Sequence, residues 1–111
     1  MNYDWDAIVI GGGPAGSTVA RYAAKAGAKV LVIDRREKIG TPLQCGELVP
    51  TNKELKLLCP NVPEIDDLFQ TPDDAISIST KTMGIVSPSG NRLEYPFEGQ
   101  ILNRPIHDQR L

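Results

Sequence analysis

The spacing of hydrophobic positions changes several times along the chain, and each change marks an element. Ala7-Ile8-Val9-Ile10 is an unbroken apolar run closed by Gly11-Gly12-Gly13, which predicts a short strand buried on both faces. From Pro14 to Ala26 the period becomes helical. Gly16, Val19, Ala20 and Ala23 recur at i, i+3, i+4 and i+7 as a narrow stripe of small residues. Pro14 suits a first helical turn, where its missing N–H is not needed, and Gly27 is a natural C-terminal stop. Lys29-Val30-Leu31-Val32-Ile33 predicts a second buried strand, ending at Asp34. Residues 1–34 therefore read as a βαβ unit with a right-handed crossover.

The texture changes at Arg35. Residues 35–74 read as loop and short helix, with Gly40, Pro42, Gly46 and Pro50 as breakers before Thr51-Asn52-Lys53-Glu54, a capping box that starts a helix to about Leu58. An acidic, proline-bearing connection follows, with one helical turn expected around Ile65–Phe69. Residues 75–111 read as a β-hairpin region and the start of a helix. Ala75–Ser79 alternates, with Ile76 and Ile78 expected on one face. Met83–Ser87 and Arg92–Phe97 flank the turn Pro88-Ser89-Gly90-Asn91, and Gln100-Ile101-Leu102 is a last short strand. Asn103 can cap a final helix whose first turn holds Pro105.

Composition narrows the class. The 111 residues are 41% hydrophobic and 23% charged, an ordinary globular balance, with net charge −2. That charge offers no electrostatic case for nucleic acid. The two cysteines, Cys45 and Cys59, form no C-x-x-C and stand with a single histidine, His107, so no metal site is expected. The acidic start (Asp4, Asp6) is unlike a signal peptide, and no apolar run is long enough to span a membrane. A cytoplasmic chain with free thiols is the expectation.

The chemistry is concentrated in Gly11-Gly12-Gly13-Pro14-Ala15-Gly16. The G-x-G-x-x-G pattern alone is weak. Here it follows a strand, opens a helix and precedes an acid, Asp34, at the end of the next strand, which is the context of a dinucleotide-binding turn. Gly11 allows the sharp turn, Gly13 lets a pyrophosphate approach the backbone, and Gly16 lets the helix pack closely on the sheet. The N–H groups of the first helical turn and the helix dipole then hold phosphate charge. Asp34 is placed to accept hydrogen bonds from ribose hydroxyls and speaks against a ribose 2′-phosphate. Arg35 and Arg36 leave the options open: gripping such a phosphate, lying as a solvated loop pair, or stacking against adenine.

The string Asp6–Ala20 resembles the FAD-binding start of glutathione-reductase-like flavoproteins. Ile39-Gly40-Thr41-Pro42-Leu43-Gln44-Cys45-Gly46-Glu47 resembles a loop of the geranylgeranyl reductase family, and Ile101–Leu111 is similar to that family's arginine–aspartate–leucine pattern at a helix start. Gln44 stands where the family often has arginine, and His107 where it usually has an aromatic residue. The resemblance implies a Rossmann-like α/β fold and FAD as cofactor. It also implies an oxidoreductase that passes hydride from reduced flavin to C=C bonds of isoprenoid lipid chains. By the same resemblance Cys45 lies in a loop facing the flavin, either touching it through the backbone or acting as a catalytic proton donor. Gly46 permits close approach to the cofactor, and Arg104 meets its pyrophosphate or ribityl region, the alternative being a surface arginine.

Family members are several times longer. The resemblance therefore implies an incomplete domain, an N-terminal portion inactive as a reductase on its own. Its missing half would come from further chain, self-association or a partner chain, and a lipid substrate would allow peripheral membrane contact. Another FAD-dependent oxidoreductase or monooxygenase of the same fold, an NAD(P)-dependent dehydrogenase and a non-catalytic nucleotide-binding fragment are the alternatives.

Overall fold

A computed structural model describes residues 3–111; Met1 and Asn2, ahead of the acidic start, lie outside the described residues. The chain forms two compact units. One runs up to Leu43 and includes Arg104–Leu111, and the other is Gln44–Asn103.

In the first unit, β1 (Ala7–Ile10), α1 (Pro14–Lys25) and β2 (Val30–Ile33) follow in the expected order. β1 and β2 pair in parallel, Ala7 opposite Val30 and Ile10 opposite Ile33. The Gly11 N–H extends the ladder by donating to the Ile33 carbonyl at 2.7 Å. Helix α1 stops in a Schellman motif, one residue short of the expected Ala26. The Ala28 N–H donates to the Ala23 carbonyl at 3.1 Å and the Gly27 N–H to that of Ala24 at 2.9 Å, with Gly27 at φ +94°. A short helix, α4 (Arg104–Asp108), completes the unit.

The packing of α1 on β1 hinges on one position. A Cβ at Gly16 would lie 1.8 Å from the Gly11 carbonyl oxygen and 3.3 Å from Val9 Cγ1. Gly11 itself has φ +108°, a conformation that only glycine adopts easily. The stripe facing the strands is therefore Gly16, Ala20 and Ala23, while Val19 is exposed, contrary to the expected stripe. The strands also differ from expectation. Neither is buried on both faces: β1 alternates in exposure, β2 is half-buried at Val30 and Leu31 but exposed at Val32 and Ile33, and Ile10 is 87% exposed. The sheet of this unit has two strands with α1 on one face, so Ile8, Ile10 and Ile33 look away from the helix. An unbroken apolar run reads the same whether one face is covered or two.

In the second unit, the two segments expected on each side of the turn are single 11-residue strands, β4 (Ile76–Val86) and β5 (Arg92–Leu102). Around the turn, the Ser87 N–H donates to the Asn91 carbonyl and the Gly90 N–H to that of Ser87, both at 2.9 Å. A three-residue strand, β3 (Leu48–Pro50), lies within the expected loop and pairs with the other edge of β5, giving the antiparallel order β3-β5-β4. The register shifts between Ile76 and Ile78, which pair with Leu102 and Ile101. Adjacent residues of β5 face opposite ways, so this bulge puts Ile76 and Ile78 on opposite faces instead of the expected one.

Helices α2 (Asn52–Leu58) and α3 (Ile65–Leu68) stand where expected. Thr51 Oγ1 accepts the Glu54 N–H at 3.4 Å, half of the capping box. Glu54 instead reaches the Glu98 N–H at 3.2 Å. Leu55, Ile65, Ala75 and Leu102 are the buried apolar residues of this unit. Among the described residues, no helix is long and apolar enough to cross a membrane.

Gly16→Ala should lower stability by about 2–3 kcal/mol, because its methyl group meets backbone that cannot rotate away. Gly13→Ala, where a Cβ would have nothing within 4 Å, should leave it within about 1 kcal/mol of wild type. Chemical denaturation of both variants checks the pair.

Candidate functional site

The N-terminus of α1 is uncapped by any side chain. Gly13 is the N-cap, with φ −75° and ψ 179°, Pro14 opens the helix, and no acid stands in the first turn. Helix α2 is closed by contrast, with Thr51 as its cap and Glu54 in its first turn. At α1 the first backbone donor with a helical partner is Ser17, whose N–H reaches the Gly13 carbonyl at 2.9 Å. Among the described residues, the N–H groups of Gly13, Ala15 and Gly16 meet no acceptor. Unpaired donors and an uncompensated positive dipole end are what an anion binds.

Asp34, at the end of β2, does more than the sequence suggests. Its Oδ2 accepts the Gly12 N–H at 2.7 Å and its Oδ1 accepts the Arg36 N–H at 2.7 Å. These bonds, first from Arg36 and then from Gly12, hold its carboxyl below the usual carboxylate value. Two cavities meet at this residue. One, of about 510 Å³, is lined by Ile10, Gly11, Gly13, Ile33, Asp34, Arg35 and Arg36. The other, of about 630 Å³, lies against α1 and α4, with Ser17, Ala20, Val32 and Asp108 in its wall. The smaller one holds the glycine-turn residues Gly11 and Gly13, and a Cβ at Gly13 would enter open space.

Helix α4 carries a cluster not anticipated from the sequence. Arg104 grips Asp108 with Nε at 2.8 Å and Nη2 at 2.7 Å, and His107 Nδ1 lies 3.1 Å from the same carboxylate. The Asp108 side chain is 4% exposed. Burial pushes its carboxyl up, but Arg104 and His107 outweigh that and hold it below the usual value. His107 is thus a half-buried partner of Asp108. Packing of α4 depends on the preceding loop. Gln109 Nε2 donates to the Ile39 carbonyl at 3.1 Å, and a Cβ at Gly40 (φ +79°) would come within 2.9 Å of Pro105 Cα. The i, i+4 spacing of Arg104 and Asp108 was the available signal.

Cys45 and Gly46 belong to the second unit. Cys45 is exposed, and its Sγ accepts the Glu47 N–H at 3.4 Å. Glu47 adopts φ +65°, a left-handed conformation, and its carbonyl accepts the Leu102 N–H at 3.0 Å.

Residues 9–56 match the family model of an NAD(P)-binding Rossmann-like domain. Digeranylgeranylglycerophospholipid reductase 1 of Methanopyrus kandleri is 35% identical over 97% of this chain and 26% of its own. An uncharacterized protein from the nifH2 5′ region of Methanosarcina barkeri is 38% identical over 96% of this chain and 58% of its own. The crystal structure of a geranylgeranyl bacteriochlorophyll reductase-like protein from Thermoplasma acidophilum superposes with a TM-score of 0.75 at 31% identity, over 96% of this chain and 26% of that one. The chain is akin to the geranylgeranyl reductases. Its fold is a Rossmann-like, dinucleotide-binding α/β unit followed by a small antiparallel sheet. It spans about a quarter of the named reductase and of the solved neighbour.

Because the Asp108 carboxyl titrates below its ordinary value of 3.8, its stabilising contribution is present above that value and is lost as pH falls through the folded one. Asp108→Ala should cost about 1–3 kcal/mol at neutral pH, the scale of charged hydrogen bonds. The gap to wild type should close in acid. A gap that stays constant across a denaturation series in pH would show that the carboxylate charge does not hold α4.

Proposed function

We propose that the chain supplies the FAD-binding βαβ unit of a flavin-dependent oxidoreductase that reduces C=C bonds of isoprenoid chains, digeranylgeranylglycerophospholipid being the substrate its relatives' names suggest. The observation that carries the reading is the uncapped N-terminus of α1, where Gly13, Ala15 and Gly16 offer three unpaired N–H groups beside an open Gly13. A pyrophosphate fits that cradle, and Asp34 keeps lone pairs for ribose hydroxyls after its two backbone bonds. The path after β2 favours FAD over a nicotinamide dinucleotide. It leads through the Cys45 loop into an antiparallel sheet, not into a third alternating strand and helix.

Bound flavin would supply hydride to one alkene carbon. The chain's own residues bind and orient. Gly11 and Gly12 shape the turn, and Gly13, Pro14, Ala15 and Gly16 form the phosphate cradle. Arg35 lines the groove, and Gly46 leaves backbone room at the Cys45 loop. In the whole enzyme, the exposed Cys45 thiol is the proposed proton source for the second carbon, and Arg104 keeps Asp108 and α4 in place near the cofactor. The match to an NAD(P)-binding model favours a second reading, in which a nicotinamide dinucleotide occupies the same cradle.

Titrating the chain with FAD, NAD⁺ and NADP⁺ separates the two readings. FAD should bind most tightly. Gly13→Val should weaken it at least about tenfold, corresponding to about 1.4 kcal/mol of lost phosphate contact, with the circular dichroism spectrum unchanged. Tighter binding of NADP⁺ would overturn the flavin assignment, and full FAD affinity in Gly13→Val would remove the glycine turn from the site.

A further inference from the structure

We propose that Asp34 is a positioning residue of the phosphate turn, acting on the backbone of Gly12 as well as on any ribose. The inference rests on the dinucleotide-site reading and deepens it. The carboxylate spans two segments: Oδ2 takes the Gly12 N–H and Oδ1 the Arg36 N–H, each at 2.7 Å. The first bond ties the glycine turn to the end of β2, 22 residues later in the chain. Ile39 closes the same spot, since a Cβ at Gly12 would lie 2.7 Å from Ile39 Cδ1. The Gly11 N–H is already committed to the Ile33 carbonyl. Of the four turn residues Gly11–Pro14, two have their N–H groups engaged by β2 and its end, and Pro14 has none. The pyrophosphate is left to Gly13 and to Ala15 and Gly16 of the first turn. Asp34 thus sets which donors face the ligand, and it holds them in place before the ligand arrives, which lowers the ordering cost of binding.

A ribose-only role and a positioning role differ in one measurable respect. Calorimetric titration of the full chain with ADP and with 2′,3′-dideoxy-ADP separates them, because the second ligand has no hydroxyls for Asp34 to hold. Wild type should bind both. Asp34→Ala should lose about tenfold in affinity for each, the scale of losing a charged hydrogen bond. Asp34→Asn, which keeps one acceptor, should fall between. Undiminished binding of dideoxy-ADP by Asp34→Ala would overturn the proposal and leave the dinucleotide site standing. A wild type that binds neither nucleotide would overturn both. A second arm needs no variant. In the ligand-free wild type, amide exchange at Gly12 and Arg36 should be slower than at Gly13 and Ala15. Equally fast exchange at Gly12 would remove the clamp.

Discussion

The first turn of α1 runs against the carbonyl of Gly11, and residue 16 has no room for a side chain there. That contact fixes the direction in which the helix leaves β1. The turn into that helix passes through Gly11 at φ +108°, a conformation that glycine adopts without strain. The consequence is an N-terminus with its dipole pointing out of the turn and its donors unspent. A conventional cap would stabilise this helix by about 1 kcal/mol, and its absence leaves the donors for an anion. The same chain shows the other solution at α2, where Thr51 and the acid at Glu54 close the helix end. The two helix starts differ in their cap and first-turn residues, and those residues decide which end can receive a phosphate.

Charge is placed with the same economy. The carboxylates of Asp34 and Asp108 are both held below their ordinary pKa, by different means. Asp34 is half-buried and lowered by backbone N–H bonds, whereas Asp108 is buried and rescued by Arg104 and His107. The first leaves lone pairs for a ligand. The second is committed to keeping a five-residue helix in register with the Ile39–Gly40 loop. A helix that short gains little from its own hydrogen bonds, so the ion pair and the close fit at Gly40 hold it.

Features that depend on neighbours in sequence were legible before the structure. The strand, glycine turn, helix and Gly27 stop come from local steric rules, and so does the Thr51 cap. Features that depend on distant neighbours were not. β3 is a strand only because β5 lies beside it, and nothing in Leu48-Val49-Pro50 announces that pairing. The bulge between Ile76 and Ile78 is a property of register, and it overrode an alternation that looked regular. The open face at Ile8 and Ile10 escaped because an apolar run carries no record of how many of its faces are covered. At the candidate site, residue types pointed to Gly11, Gly13, Gly16 and Asp34, but not to the bond that joins Asp34 to Gly12. Two partners 22 residues apart leave no pattern in one sequence.

Phosphate held by the unspent donors of α1 is read residue by residue in an amide chemical-shift titration of the ¹⁵N-labelled chain with ADP. The expected result is saturable movement concentrated at Gly13, Ala15 and Gly16, with smaller change at Gly11, whose N–H stays bonded to Ile33. Saturable binding whose shifts cluster elsewhere, with those three amides unmoved, would contradict it.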